Sequence, residues 1–188
     1  VTGVDLSDRA IDTAKELTQK LDLNAEFICC DLYDLPKHLD KTFDIVFTSY
    51  GTIGWLPDLD KWAAIVSQFL KPGGKFVFAE FHPVVWMFDD AFEKIQYNYF
   101  KSEAIETLER SYTESTTDAM QHFITWNHSL SEVFISLLNK GLQINSFNKY
   151  DYSPYNCFQN TIEFEPNKFR IISLEDKIPM VYSLMATK

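Results

Sequence analysis

The chain has 188 residues, 46% of them hydrophobic and 15% aromatic, which suits one well-packed globular domain and not a disordered segment. Its 27 acidic residues against 17 basic ones give a formal net charge of −10, and no basic stripe interrupts them, which disfavours nucleic acid as a partner. No apolar run approaches the ~20 residues of a membrane span, so no membrane role is expected.

The predicted elements alternate strand and helix over the first part of the chain. Val1-Thr2-Gly3-Val4 reads as a short buried strand with Asp5 at its tip, and Ser7 is placed to cap the following helix. Ser7–Leu21 puts Ile11, Ala14, Leu17, Thr18 and Leu21 on one helical face. Ala25–Cys30 is a second short strand ending at Asp31. Phe43–Thr48 is a continuous apolar strand of the kind buried on both faces in a parallel sheet. A helix begins at Asp58 or Asp60 and runs to Leu70, with Trp62, Ile65, Val66 and Phe69 inward; Lys71-Pro72-Gly73-Gly74 stops it. Lys75–Phe81 is the next strand. Such alternation predicts an α/β fold with a mostly parallel, doubly wound sheet.

The pattern changes from about His82 to Trp126, where no clean alternation is visible and Trp86, Phe88, Phe92, Tyr97, Tyr99 and Phe100 crowd together. Residues 84–127 are expected to form a cap or insertion over the substrate side of a single domain. Ser129–Asn139 then reads as a helix with Leu130, Val133, Phe134, Leu137 and Leu138 inward, ended by Gly141. Leu142–Tyr152 and Pro179–Ala186 read as two further strands around a looser segment. Cys29, Cys30 and Cys157 show neither metal-ligand spacing nor a CxxC pair and are expected as buried free thiols. That favours a reducing, cytoplasmic location, and no metal site is predicted.

Ligands of open α/β sheets bind beyond the carboxyl ends of the strands. The polar residues at those tips are Asp5, Asp31, Ser49-Tyr50-Gly51 and Glu80 to His82. A carboxylate at the position of Asp5 makes strong, directional bonds to the vicinal hydroxyls of a ribose; the competing role is to cap the next helix. Asp31 is placed to accept from the exocyclic amine of an adenine, with Leu6 and Leu32 flanking the base, or else simply starts the turn of Asp31–Pro36. Gly51 lets the backbone come close to a ligand, and Tyr50 offers a face to a cation or an aliphatic tail. His82 and His128 are the candidate bases, since an imidazole with pKa near ~6.5 takes a proton readily. Their plain alternatives are a satisfied polar residue at the sheet edge and the polar start of a helix.

The ordered set GVDLS, CCDLYDLP, FDIVFTSYG and LKPGGKFVFAEFHP resembles the class I S-adenosylmethionine-dependent methyltransferases, from Val1 to about Pro83 and again over the last forty-odd residues. Trp126–Ser129 (WNHS) and Glu80–Pro83 (EFHP) resemble segments of small-molecule methyltransferases with an extended cap. The resemblance implies a Rossmann-like sheet closed by a C-terminal antiparallel strand pair. It implies S-adenosylmethionine as cofactor, with Asp5 on the ribose, Asp31 and Leu32 at the adenine end, and Ser49 to Gly51 on the methionyl side. It implies methyl transfer to an oxygen or nitrogen of a small organic acceptor.

The family's first strand and glycine-rich loop have no counterpart ahead of Asp5, and there is no initiator Met, so the chain reads as N-terminally truncated. In the family's strand order the absent strand belongs between the strand ending at Asp5 and the one ending near Thr48. A gap of about 9–10 Å, two strand spacings, or a direct meeting of the two is expected. Weak cofactor binding and self-association through unpaired edges, giving a homo-oligomer, follow as expectations. Two other readings stay open: a nicotinamide-dependent oxidoreductase, which shares the ribose-binding acid, and a non-catalytic interaction domain.

Overall fold

The computed structural model describes residues 1–110 and 120–188. Two β-branched residues favour strand β1 (Thr2–Asp5), which pairs in parallel with β2 (Glu26–Cys29), Thr2 opposite Glu26 and Asp5 opposite Cys29. The crossover is helix α1 (Asp8–Lys20). Ser7 caps it, its Oγ accepting from the Ala10 N–H at 3.2 Å, and Asp8 and Lys20 complement the two ends of the helix dipole. Of the predicted inward face only Ile11 is buried, while Leu17 and Leu21 are exposed.

The main sheet has the order β3 (Phe43–Thr48), β4 (Leu70–Phe81), β10 (Val181–Thr187), β7 (Gln143–Tyr150). Strands β3 and β4 are parallel; β10 runs antiparallel to both β4 and β7, as the expected C-terminal strand pair requires. Helix α2 (Leu59–Phe69), capped by Asp58, and helix α3 (Leu130–Asn139), capped by Ser129, cover one face. Trp62, Ala63 and Val66 of α2 and Val133 and Leu137 of α3 meet Phe76, Phe78, Tyr182 and Leu184 there. The Lys71–Gly74 segment does more than stop a helix. It lies inside β4, where the register against β3 shifts between Phe43 and Ile45. Gly73 has φ +77°, and a Cβ on Gly74 would sit 2.9 Å from the Lys71 carbonyl oxygen, so no larger residue fits this bulge.

Several expectations need correction. Strand β3 is buried on one face only: Val46 enters the core, whereas Ile45 and Phe47 are 61% and 60% exposed. Leu138 is also exposed. The three thiols are free but not buried, with Cys29 and Cys157 exposed and Cys30 half-buried. The irregular regions contain two antiparallel hairpins that the sequence reading did not resolve. These are β5 (Ile105–Arg110) with β6 (Met120–Thr125), and β8 (Thr161–Glu165) with β9 (Lys168–Ile171). The part of the expected cap at 111–119 lies outside the described residues. Among those described, no helix is long and apolar enough to cross a membrane.

Strands β1 and β2 form their own two-stranded sheet, and β1 does not pair with β3. The pieces are joined through a shared apolar cluster instead. Leu35, Ile65 and Phe69 pack against Val4 and Ile28 on one side and Phe43 and Val46 on the other. One face of both sheets therefore shares a helical layer while the backbone ladder between them stays open.

Candidate functional site

Within each parallel pair, β1 with β2 and β3 with β4, the carboxyl ends of the strands lie side by side, and the side chains there are held by short local bonds. The Cys30 N–H donates to the Asp5 carbonyl at 3.1 Å, which sets the tips carrying Asp5 and Asp31 next to each other. Asp5 Oδ1 accepts from the Ser7 N–H at 2.7 Å and Asp31 Oδ1 from the Tyr33 N–H at 2.8 Å. Each carboxylate is thereby oriented through one oxygen, and both residues remain exposed. Leu6 is exposed beside Asp5, but Leu32 packs into two of the apolar clusters.

Beyond β3, the loop Ser49-Tyr50-Gly51-Thr52 is fixed by a residue whose role the sequence did not announce. Glu80, at the end of β4 and 2% exposed, accepts four backbone N–H groups. Its Oε1 takes Gly51 at 2.6 Å and Phe81 at 2.7 Å; its Oε2 takes Thr52 at 2.9 Å and Ile53 at 3.2 Å. Gly51 adopts φ +74°, the left-handed turn that aims its N–H at the carboxylate. Burial pushes the Glu80 pKa up to about 7 against the pull of the four amides. Because the folded value is raised, Glu80 contributes stability that is full below about 4.5 and lost as pH rises through about 7.

Next to this loop lies a cavity of about 490 Å³ between the tip of β4 and the β5–β6 hairpin. Its walls are aromatic: Trp55 stands edge-on to Phe123 at 5.6 Å, Trp86 edge-on to Phe81 at 5.5 Å, and Tyr50 and Tyr97 complete the ring of faces. Asn127 and His128 form part of the lining, so Tyr50, Gly51 and His128 are brought together at one cavity.

His82 is not brought there. Its ring lies edge-on to Tyr182 at 6.2 Å, its Nδ1 accepts from the Val84 N–H at 3.3 Å, and it is not among the cavity-lining side chains. His128 Nε2 faces the Leu56 carbonyl oxygen at 2.8 Å and its Nδ1 faces Glu132 Oε1 at 3.0 Å, so oxygens stand opposite both ring nitrogens. Burial, helped by Lys149, lowers the His82 pKa to about 4. A base with a depressed folded pKa contributes stability that is full above about 6.5 and lost as pH falls toward 4. Relative to the unsubstituted chain, His82→Asn is expected to gain about 1–2 kcal/mol on going from pH 7 to pH 5, read from urea midpoints at the two pH values. Equal pH dependence of the two proteins would remove this assignment.

Residues 1–74 match a family model described as a methyltransferase domain. Over 79 residues the chain is 35% identical to the ubiquinone biosynthesis O-methyltransferase of Coxiella burnetii, covering 42% of this chain. The match spans 33% of that relative's length. Among solved structures, an S-adenosylmethionine-dependent methyltransferase from Methanosarcina mazei aligns with 100% of this chain and 81% of its own, at TM-score 0.63 and 18% identity. One from Mesorhizobium loti aligns with 100% and 80%, at TM-score 0.63 and 18% identity. At that level of identity the likeness is one of fold, and it extends over the whole chain.

Proposed function

The chain has the Rossmann-like fold of the class I S-adenosylmethionine-dependent methyltransferases, and from that premise we propose that it transfers a methyl group to an oxygen or nitrogen of a small organic molecule. The observation that carries this reading is the pair of exposed, oriented carboxylates on adjacent strand tips, and an aromatic cavity bordered by Tyr50 and Gly51 supports it. The donor set fits the adenosyl half of the cofactor. Asp5 supplies a charged acceptor for ribose hydroxyls, Asp31 one for an exocyclic amine, and the exposed Leu6 an apolar edge for the base. Ser49 to Gly51 would border its methionyl side, in a loop that Glu80 keeps in one conformation.

When bound, the sulfonium supplies an already activated methyl group, so the protein's task is positioning and exclusion of water. The aromatic walls would limit the access of water, and the Glu80-anchored loop would hold Tyr50 and Gly51 at the cavity. His128 lines the cavity with its Nε2 engaged by the Leu56 carbonyl oxygen, while its Nδ1 lies 3.0 Å from Glu132 Oε1 without a hydrogen bond. Residues 84–110 and 120–127 would form the cap on the substrate side.

The test is calorimetric titration with S-adenosylhomocysteine and with NAD, carried into the millimolar range. S-adenosylhomocysteine is expected to bind and NAD not, and Asp5→Ala is expected to weaken binding by about tenfold or more, the loss of charge-assisted bonds to the ribose. Equal binding of both nucleotides, or an unchanged affinity in Asp5→Ala, would overturn the proposal.

A further inference from the structure

The cavity beside the Glu80-anchored loop is walled by electron-rich rings that are not packed away. Tyr50, Trp55, Trp86 and Tyr97 line it, and Trp55 and Trp86 keep 42% and 40% of their surface uncovered. The face of such a ring carries negative potential, so it attracts a cation and repels an anion. Indole gives the strongest of these faces, and Trp55, Trp86 and Trp126 all stand in this lining.

Of the carboxylates in the described lining, one is left to act on a ligand. Both Glu80 oxygens are taken by backbone amides. Asp90 also lines the cavity, is exposed, and makes no hydrogen bond or ion pair among the described residues. Its neighbour Asp89 differs: the Asp89 Oδ1 accepts from the N–H groups of Glu93 at 2.8 Å and Lys94 at 3.3 Å, which commits that carboxylate to a turn. An exposed carboxylate is ordinarily only solvated. Asp90 stands in the lining of an aromatic cavity, where a charged ligand would meet it. The sequence of the hairpin that walls the same cavity carries Glu106, Glu109, Glu114 and Asp118 against Arg110, and the whole chain has a net charge of −10. A field of that sign raises the local concentration of cations.

We infer that this cavity takes an organic cation, a quaternary or protonated amine on an apolar frame, with its charge among the faces of Tyr50, Trp55, Trp86 and Tyr97 and drawn to Asp90. This rests on the methyltransferase reading only where it makes that molecule the methyl acceptor. A protonated or quaternary nitrogen has no lone pair, so in that role the methyl goes to a second oxygen or nitrogen of the same molecule. The methyl carbon bonds to that atom, the C–S electron pair stays on sulfur, and the proton of the accepting atom passes to water.

The test uses the unaltered protein and three probes of nearly equal shape, slightly below neutral pH: 3-hydroxyphenyltrimethylammonium, 3-tert-butylphenol and 3-hydroxybenzenesulfonate. Each is titrated calorimetrically without nucleotide. The ammonium is expected to bind about fivefold or more tighter than its uncharged isostere, with the sulfonate weakest. Equal affinity for the first two, tighter binding of the sulfonate, or no binding of the ammonium overturns the inference. Asp90→Asn, at an exposed site without partners, is expected to weaken the ammonium by about threefold and to leave tert-butylphenol within about twofold. In Trp86→Leu, which keeps an apolar contact but loses the ring face, the preference for the ammonium is expected to shrink towards one. Near-ultraviolet circular dichroism reports whether the aromatic packing survives. A preference left intact in Asp90→Asn, or in Trp86→Leu with its packing retained, also overturns the inference. Displacement of the ammonium by S-adenosylhomocysteine would give the cavity to the cofactor's sulfonium end and overturn it as well. Failure of S-adenosylhomocysteine to bind, with the ammonium preference intact, removes the methyltransferase reading alone, and the converse removes the ligand class alone.

Discussion

Glu80→Ala is expected to destabilise the protein by about 3–5 kcal/mol and to lower affinity for S-adenosylhomocysteine by more than about tenfold even in the folded fraction. The argument is one of orphaned donors. Removing the carboxylate leaves the N–H groups of Gly51, Thr52, Ile53 and Phe81 without their acceptor, two of these bonds being fully buried. Each buried unsatisfied donor costs about 1–3 kcal/mol, less where water can enter. The burial that holds the Glu80 pKa near 7 works the other way, because the variant no longer desolvates a carboxylate, and this keeps the net below the sum of four bonds. Glu80→Gln keeps one carbonyl oxygen but turns an NH2 toward two N–H donors, so it is expected to fall between the two. Urea unfolding gives the energies, and amide hydrogen exchange at Gly51, Thr52 and Ile53 locates them. If those amides stay protected in Glu80→Ala, the carboxylate does not hold the loop.

The parts of the fold legible in the sequence are those whose cause is local. Helices α2 and α3 announce themselves by apolar spacing and by Asp58 and Ser129 at their caps, and both caps bond the backbone N–H three residues on. The apolar run of β3 marks the strand correctly at Phe43–Thr48, but it implies a cover on both faces, and the described residues supply it only on the Val46 side. The β8–β9 hairpin carries a local signal, since Ile162 and Phe164 alternate with polar residues and Asn167 at φ +58° makes the turn. The site was legible only at its strand tips. Glu80 could be placed at a tip, but not as the acceptor of amides 27–29 residues earlier in the chain. Asn127 has no local pattern at all, because its orientation comes from carbonyls 44 and 29 positions away. Long-range polar contacts of this kind follow from tertiary packing and leave no periodicity to read.

Phe78→Ala is expected to cost about 3–5 kcal/mol, a comparable energy with a different consequence. Phe78 is fully buried in β4 and touches three rings: Trp62 at 5.3 Å, Phe76 stacked at 5.6 Å, and Tyr182 edge-on at 5.6 Å. It thus joins α2, β4 and β10, and truncation leaves a cavity that large neighbouring rings can fill only by leaving their rotamers. For a domain of this size the loss corresponds to a melting temperature lower by roughly 10 °C. Phe78→Leu, which keeps most of the volume, is expected to lose about 1–2 kcal/mol. Yet Phe78 lies two residues before the carboxylate and makes none of its bonds, so the Ser49–Ile53 loop keeps its acceptor. Well below the transition, the folded fraction of Phe78→Ala is therefore expected to bind S-adenosylhomocysteine within about twofold of the unsubstituted chain, whereas Glu80→Ala is not. Equal losses of affinity in the two variants would mean that general core packing, and not the buried carboxylate, sets the geometry of the site.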